Sequence, residues 1–440
     1  MNFDILNWQE LSVDQRHAVL KRPALPANDT LTVEVQKIID QVRQDGDLAL
    51  KELTWRHEGA RLEMFAVTAT EFREAEQQLS SASVAAIDCA IGNVTRFHDA
   101  QKPVPIDIET MPGIRCQRVS QPIDSVGLYV PAGSAPLPSA AIMLTVPAAV
   151  AGCPERVLCT PPRADGSADP GILVAARRGG VERIYKIGGA QAIAALAYGT
   201  ESVPKVNKVF GPGNAWVTAA KTIVAGDPQG AAIDFPAGPT EVLVIADASA
   251  NADFVASDLL SQAEHGEDSQ VVFVSTSRNL IDSVHRRLAE RTGRLSRRNV
   301  VRKSLQHSRS IWVENIETAI EISNEYAPEH LLLQVDNPRG VLIHVRNAGS
   351  VFLGPWSPES VGDYCSGTNH VLPTYGLARA YSGLGVDQFL RQMTVQELSR
   401  EGLASIASAV IDLATLEGLD AHAQAISERM PELGRAAKAS

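Results

Sequence analysis

The chain has 440 residues, 45% of them hydrophobic, with 40 Lys and Arg against 51 Asp and Glu and a formal charge of −11. At roughly 100–200 residues per domain this length allows two to four domains with sizeable cores. The acidic balance argues against nucleic-acid binding, which needs a basic surface. The five cysteines are odd in number, scattered and never spaced C-x-x-C, so they form neither a disulfide framework nor a cysteine zinc site.

The opening MNFDILNWQELSVDQ lacks the basic-then-apolar pattern of a secretion signal. The longest apolar stretch, Ala140 to Val150, is too short to span a bilayer and contains Pro147. A cytoplasmic protein with reduced thiols is expected, without membrane partners.

Residues 1 to about 125 read mostly as helix. LTVEVQKIIDQVRQDGDLALKELTWRHEG carries apolar residues at helical spacing, with Gly59 placed to end the run, and a second helix is expected over about 70–100. After Pro122 the texture changes. SVGLYVP, PSAAIMLTVPAAVAG, RVLCTPP, GILVAARRGG, ERIYKIGG and AQAIAALAYG alternate β-branched runs with Ala-rich helices. That is the pattern of a parallel sheet buried on both faces. A second such series starts at EVLVIAD and continues through a helix near Asn251–Glu264, QVVFVST, a helix near Arg278–Thr292, SIWVEN, a helix to Tyr326, HLLLQV and SVFLG. From about Val386 the chain reads as helix, ending in a charged tail. The fold class expected is α/β, with two doubly wound Rossmann-like domains and small helical segments at both ends.

No strand is followed by G-x-G-x-x-G, and there is no G-x-x-x-x-G-K-[ST], so neither standard nucleotide fingerprint is present. Gly211-Pro212-Gly213-Asn214 joins an apolar strand to a helix; it can hold phosphate on backbone N–H groups or be a simple turn. Gln262 and His265, three apart at a helix end, share a face and can bind metal, or merely make that end polar. Glu264 points elsewhere. Glu329-His330 follows the helix-breaking Pro328 at the start of a buried strand. A carboxylate beside an imidazole can act as a general acid/base pair, although ligand crevices of doubly wound sheets lie at the opposite strand ends. Asp363 and His370 sit in a long loop after the SVFLG strand, where Asp363 can complete an oxygen-rich metal shell. Neighbouring Cys365 reads as a small buried hydrophobe. Glu417 and His422, five apart in the terminal helices, do not share a helix face cleanly.

Taken together, these motifs closely resemble the histidinol dehydrogenase family. The matching segments are VGLYVPAGSAPLPS, GGAQAIAALAYGTESVPKV, KVFGPGNAWV, AAIDFPAGPTEVLVIAD, FVASDLLSQAEHG, ISNEYAPEHL, AGSVFLGPWSPESVGDYCSGTNHVLPTYG, MTVQELSREGL and EGLDAHAQA, in order along the chain. The resemblance implies an NAD-dependent, zinc-containing oxidation of L-histidinol to L-histidine through an aldehyde, with two hydride transfers. By motif position it implies Gln262, His265, Asp363 and His422 as zinc ligands and Glu329 and His330 as the acid/base pair. It implies cofactor contacts from Tyr129, Gln191 and Asn214. Substrate contacts would come from Thr240, His370 and Glu417, with His330 and the four metal ligands also facing the substrate. It further implies a homodimer with composite active sites, whose C-terminal segment reaches the partner. Two positions depart from the usual pattern: Thr240 stands where many relatives carry Ser, and Pro-Ala-Gly after Tyr129 replaces Pro-Gly-Gly.

The expected organisation is a helical segment at 1–25, one α/β domain from 26–129 and 242–384, a second inserted at 130–241, and a helical dimerisation segment at 385–440. A related zinc and NAD dehydrogenase of another small polar alcohol, a zinc hydrolase and a non-catalytic metal-binding protein are the rival readings.

Overall fold

The structure is a computed structural model that describes residues 5–23, 29–133, 135–236 and 238–430. The charged tail expected beyond 430 lies outside the described residues. Two compact units emerge: residues 1–101 with 123–389, and residues 102–122 with 390–440.

The first unit contains two parallel sheets. In the first, the strands run in the order Ile5–Asn7, Arg309–Trp312, Gln270–Ser275, Glu241–Ala246, His330–Gln334, Ser350–Leu353, all parallel. EVLVIA, QVVFVS and HLLLQ are buried at every position, as an apolar run covered on both faces must be. Each fully buried Val, Leu or Ile side chain contributes about 1.5–3 kcal/mol of transfer free energy. The second sheet runs Arg183–Lys186, Glu155–Thr160, Ser125–Tyr129, Lys208–Phe210, Ala232–Ile233, again parallel. Its crossovers are the Ala-rich helices Pro138–Ala151, Pro170–Arg178 and Gly189–Tyr198, whose small side chains allow close packing on the strands.

The α/β class read from the sequence holds, but several local expectations do not. Ser125–Tyr129, placed by sequence at the end of the first domain, is the central strand of the second sheet. The helix Asp29–Glu58 packs its Val35, Ile39, Val42, Leu50 and Leu53 into the core beneath that same sheet. Ile5–Asn7, inside the expected helical start, is instead an edge strand paired with Arg309–Trp312. Only long-range pairing makes three residues a strand, so local periodicity could not reveal it.

The second unit corrects the reading of helix before 125 and after 386. Leu390–Leu398 pairs antiparallel with Ile114–Pro122 across its whole length, and Ile114–Pro122 pairs with Ile106–Met111. Gly113, with φ +78, makes the tight turn of that hairpin. Partners 268 to 284 residues apart in sequence set this register, which no local window contains. The helices Arg400–Leu416 and Asp420–Ser427 complete the unit.

Candidate active site

The βα alternation decides where the functional side chains meet. The helix Ala252–Ala263 returns from the carboxyl end of Glu241–Ala246, so its own C-terminus lies at the strand starts. The helix Ile316–Tyr326 ends the same way, with Ala327 in the left-handed region (φ 53) leading into Pro328 and Glu329. Gln262, His265, Glu329 and His330 therefore converge at the amino ends of the strands. The crevice rule for doubly wound sheets points to the other end, so it selects none of these residues.

Asp363 reaches the same place from a loop that leaves a strand at its carboxyl end. The short helix Glu359–Tyr364 doubles back, and Gly362 lies flat against the Phe352 ring, where a Cβ would come within 2.6 Å of Cζ. A second anchor follows from Pro147. Proline has no N–H to give to the carbonyl four residues back, so Met143 O is free inside its helix. The Asn369 amide donates to that oxygen at 2.8 Å and fixes the loop beside His370.

These contacts assemble one network. The Glu329 Oε2 accepts from the Thr240 hydroxyl at 2.5 Å and from the Glu241 N–H at 2.9 Å. Gln262 Nε2 donates to Thr240 Oγ1 at 2.9 Å. His330 Nδ1 lies 3.2 Å from the Glu241 carbonyl. A carbonyl can only accept, so Nδ1 carries the proton and the Nε2 lone pair is free. That Nε2 faces Asp363 Oδ1 at 4.0 Å, and His265 Nε2 lies 3.7 Å from Asp363 Oδ2. His370 Nδ1 donates to the Asp363 carbonyl at 2.8 Å by the same reasoning.

Burial governs the ionisation. It pushes the His330 imidazole down to about 4, against the nearby Asp363 charge, so the ring is neutral at pH 7. Burial also raises Glu329 well above the usual carboxylate range, opposed by the Thr240 and Glu241 donors and assisted by the charges of Glu241 and Asp363.

Thr240, His265, Glu329, His330, Asp363 and His370 line one cavity of about 160 Å³. A second cavity of about 640 Å³ shares His265 and Leu137 with it and is lined by Tyr129, Gln191, Asn214 and Trp216. This larger cavity opens where the second sheet reverses strand order, between Ser125–Tyr129 and Lys208–Phe210, the usual place for a ligand in such sheets. The two strand ends approach closely there. A Cβ on Gly211 (φ +126) would stand 2.2 Å from the Tyr129 carbonyl. Asn214 caps the following helix by accepting from the Trp216 and Val217 N–H groups, and Gly189 N–H donates to the Tyr129 hydroxyl at 3.1 Å. Buried Lys221 donates to the Gly211 and Phe235 carbonyls and pairs with Asp234, which accepts the Gly211 N–H. This ties the turn at 211–214 to the segment leading to Thr240.

The first unit thus brings together every sequence-derived site residue except Glu417 and His422. These belong to the second unit, where both are exposed. Sequence reasoning missed three carboxylates. Glu58 lines the larger cavity and accepts from Gln191 at 3.2 Å, and burial pushes it up to about 7. Glu241 is buried and braced by Arg22. Glu359 is fully buried, with ligand atoms of Glu359, His265 and Asp363 all within 4.8 Å of one another. Its i, i+4 spacing to Asp363 was the signal that could have revealed it.

The donor set suits a divalent metal of the zinc type: an imidazole, carboxylates and an amide oxygen. Gln262 Oε1 is buried without a hydrogen-bond partner, a costly state that a metal ligand bond would relieve.

The chain matches the histidinol dehydrogenase family profile over residues 20–430. It is 52% identical to a histidinol dehydrogenase of Vibrio vulnificus (strain YJ016) over 426 residues, covering 97% of this chain and 98% of that one. It is 53% identical to a histidinol dehydrogenase of Xanthomonas oryzae pv. oryzae over 426 residues, covering 97% and 99%. The crystal structure of histidinol dehydrogenase from Elizabethkingia anophelis superposes with a TM-score of 0.95 at 41% identity, over 99% of this chain and 100% of that one. The chain therefore belongs to the histidinol dehydrogenase family and is an oxidoreductase.

Proposed function

We propose that this protein oxidises L-histidinol to L-histidine through L-histidinaldehyde, in two hydride transfers to NAD, with one zinc ion per subunit. The observation that supports this most is the neutral His330, its free Nε2 facing Asp363, in a small cavity that shares His265 with the larger one.

Gln262, His265 and Asp363 would hold the metal with His422 of a second copy. Bound zinc would supply an anchor for the amine and imidazole of the substrate. Tyr129, Gln191 and Asn214 would hold NAD, whose nicotinamide is the hydride acceptor. His330 takes the alcohol proton in the first oxidation. Glu329, through the oxygen not engaged by Thr240, activates the water that hydrates the aldehyde. His330 then acts as base again in the second oxidation. Thr240 and His370 line the substrate cavity, and Glu417 of the second copy would read the substrate's amine or ring.

A homodimer with composite sites accounts for Glu417 and His422 lying in a separate unit. That unit exposes Ile108, Met111, Met393, Val395, Leu413 and Leu416, apolar surface of the kind a partner covers. The proposed biosynthetic role implies a place in the cytoplasm; no helix among the described residues is long and apolar enough to cross a membrane.

Purified protein given L-histidinol and NAD is expected to form two NADH per histidinol. One NADH per histidinol would leave an alcohol dehydrogenase, and none with zinc bound would favour a hydrolase or a metal-binding protein. Mixing inactive His330→Asn and His422→Asn variants under conditions of subunit exchange is expected to restore part of the activity. Absence of recovery despite demonstrated exchange would mean that each site is built within one chain.

A further inference from the structure

Glu359 has no role in the mechanism above, yet its position demands one. It is fully buried, and neither carboxylate oxygen has a hydrogen-bond partner among the described residues. The neighbouring Ser261 hydroxyl is spent on the Asp258 carbonyl at 2.9 Å. No Lys or Arg is among the charges that act on it. The charged groups that face it are themselves carboxylates: Asp363, Glu329 and the buried Asp258. A carboxylate buried among carboxylates, with only the Ser261 hydroxyl as a neighbouring donor, is strongly unfavourable unless a cation stands beside it.

The geometry supplies the place for one. A Glu359 oxygen, an Asp363 oxygen and a His265 nitrogen lie within 4.8 Å of one another, the span of ligands around a single ion. Gln262, the fourth in-chain group, also keeps a buried oxygen without a partner. Two residues near the amino ends of the strands thus keep buried acceptors without a partner.

We propose that Glu359 is the second carboxylate of the metal site in the substrate-free enzyme, binding the divalent ion together with Asp363, His265 and Gln262. Two carboxylates then balance the charge of the dication inside one subunit. This rests on the metal reading given above.

The test uses the full-length, substrate-free protein and Zn²⁺ in competition with a chromophoric chelator, comparing wild type with Glu359→Gln and Glu359→Asp. Gln keeps the shape and loses the charge, whereas Asp keeps the charge and shortens the reach. The proposal expects Zn²⁺ affinity to fall roughly 10- to 100-fold in Glu359→Gln, and by less in Glu359→Asp. A packing role predicts the reverse order, because Gln is the better isostere. Thermal unfolding of the metal-free proteins identifies any variant that fails to fold, and the other variant then carries the comparison. Unchanged affinity in Glu359→Gln, or weaker binding by Asp than by Gln, overturns the proposal while leaving the metal site in place. Failure of wild type itself to bind Zn²⁺ overturns both.

Discussion

Glu329→Gln is expected to lose the oxidation of histidinaldehyde far more than that of histidinol, whereas His330→Asn should lose both by roughly 10²–10⁴-fold. The asymmetry follows from the hydrogen bonds. His330 gives its Nδ1 proton to the Glu241 carbonyl, so only Nε2 can accept one. In the proposed reaction each hydride departure would leave a proton on oxygen, and each would need that lone pair. Glu329 touches the problem once. Its Oε2 is held by Thr240 and the Glu241 N–H, so in the proposed reaction the other oxygen would polarise water. In the proposed sequence water would enter only between the two oxidations, when the aldehyde is hydrated. Single-turnover NADH formation from each substrate separates the steps, and equal losses in both would sink the division of labour.

Arg22→Met is expected to destabilise the protein by about 3–5 kcal/mol and to lower kcat in the molecules that still fold. Arg22 is 10% exposed and its partner Glu241 2%, so the pair is shielded from water. The guanidinium donates to both Glu241 oxygens, at 2.5 and 2.6 Å, and to the Tyr326 carbonyl at 2.7 Å. It also lies 3.9 Å over the Tyr326 ring. Removing it leaves a buried carboxylate unpaired. The effect on kcat has its own cause: Glu241 is the residue whose N–H holds Glu329 and whose carbonyl holds His330. Arg22 thus braces the backbone that orients both groups. Adding Glu241→Gln to Arg22→Met removes the stranded charge and should recover much of the stability in urea unfolding, but less of kcat. A double variant no more stable than Arg22→Met would show that the buried charge was not the cause.

Much of the site was legible in the chain because its motifs are local. Gln262 and His265 share a helix end, and Glu329-His330 follows a proline that must break a helix. The turn at 211–214 does join a strand to a helix, with Asn214 as the cap. His98 lies outside the candidate site: its Nδ1 bonds the Val94 carbonyl within its own helix, a structural role. What stayed hidden was long-range. Arg22 and Glu241 are 219 residues apart, and nothing in either neighbourhood announces the other. Glu359 was passed over because its isolation from partners is a property of burial, which no spacing rule measures.

The amino-acid sequence by itself determined the α/β class, the family and the residue types available for chemistry, because these reside in runs and spacings of a few residues. Only the tertiary structure decided which end of the sheet carries the site, that Ser125–Tyr129 belongs to the second sheet, and that 390–398 is a strand. Strand pairing, helix return and desolvation join residues far apart in sequence, and their energies exist only once the chain has packed.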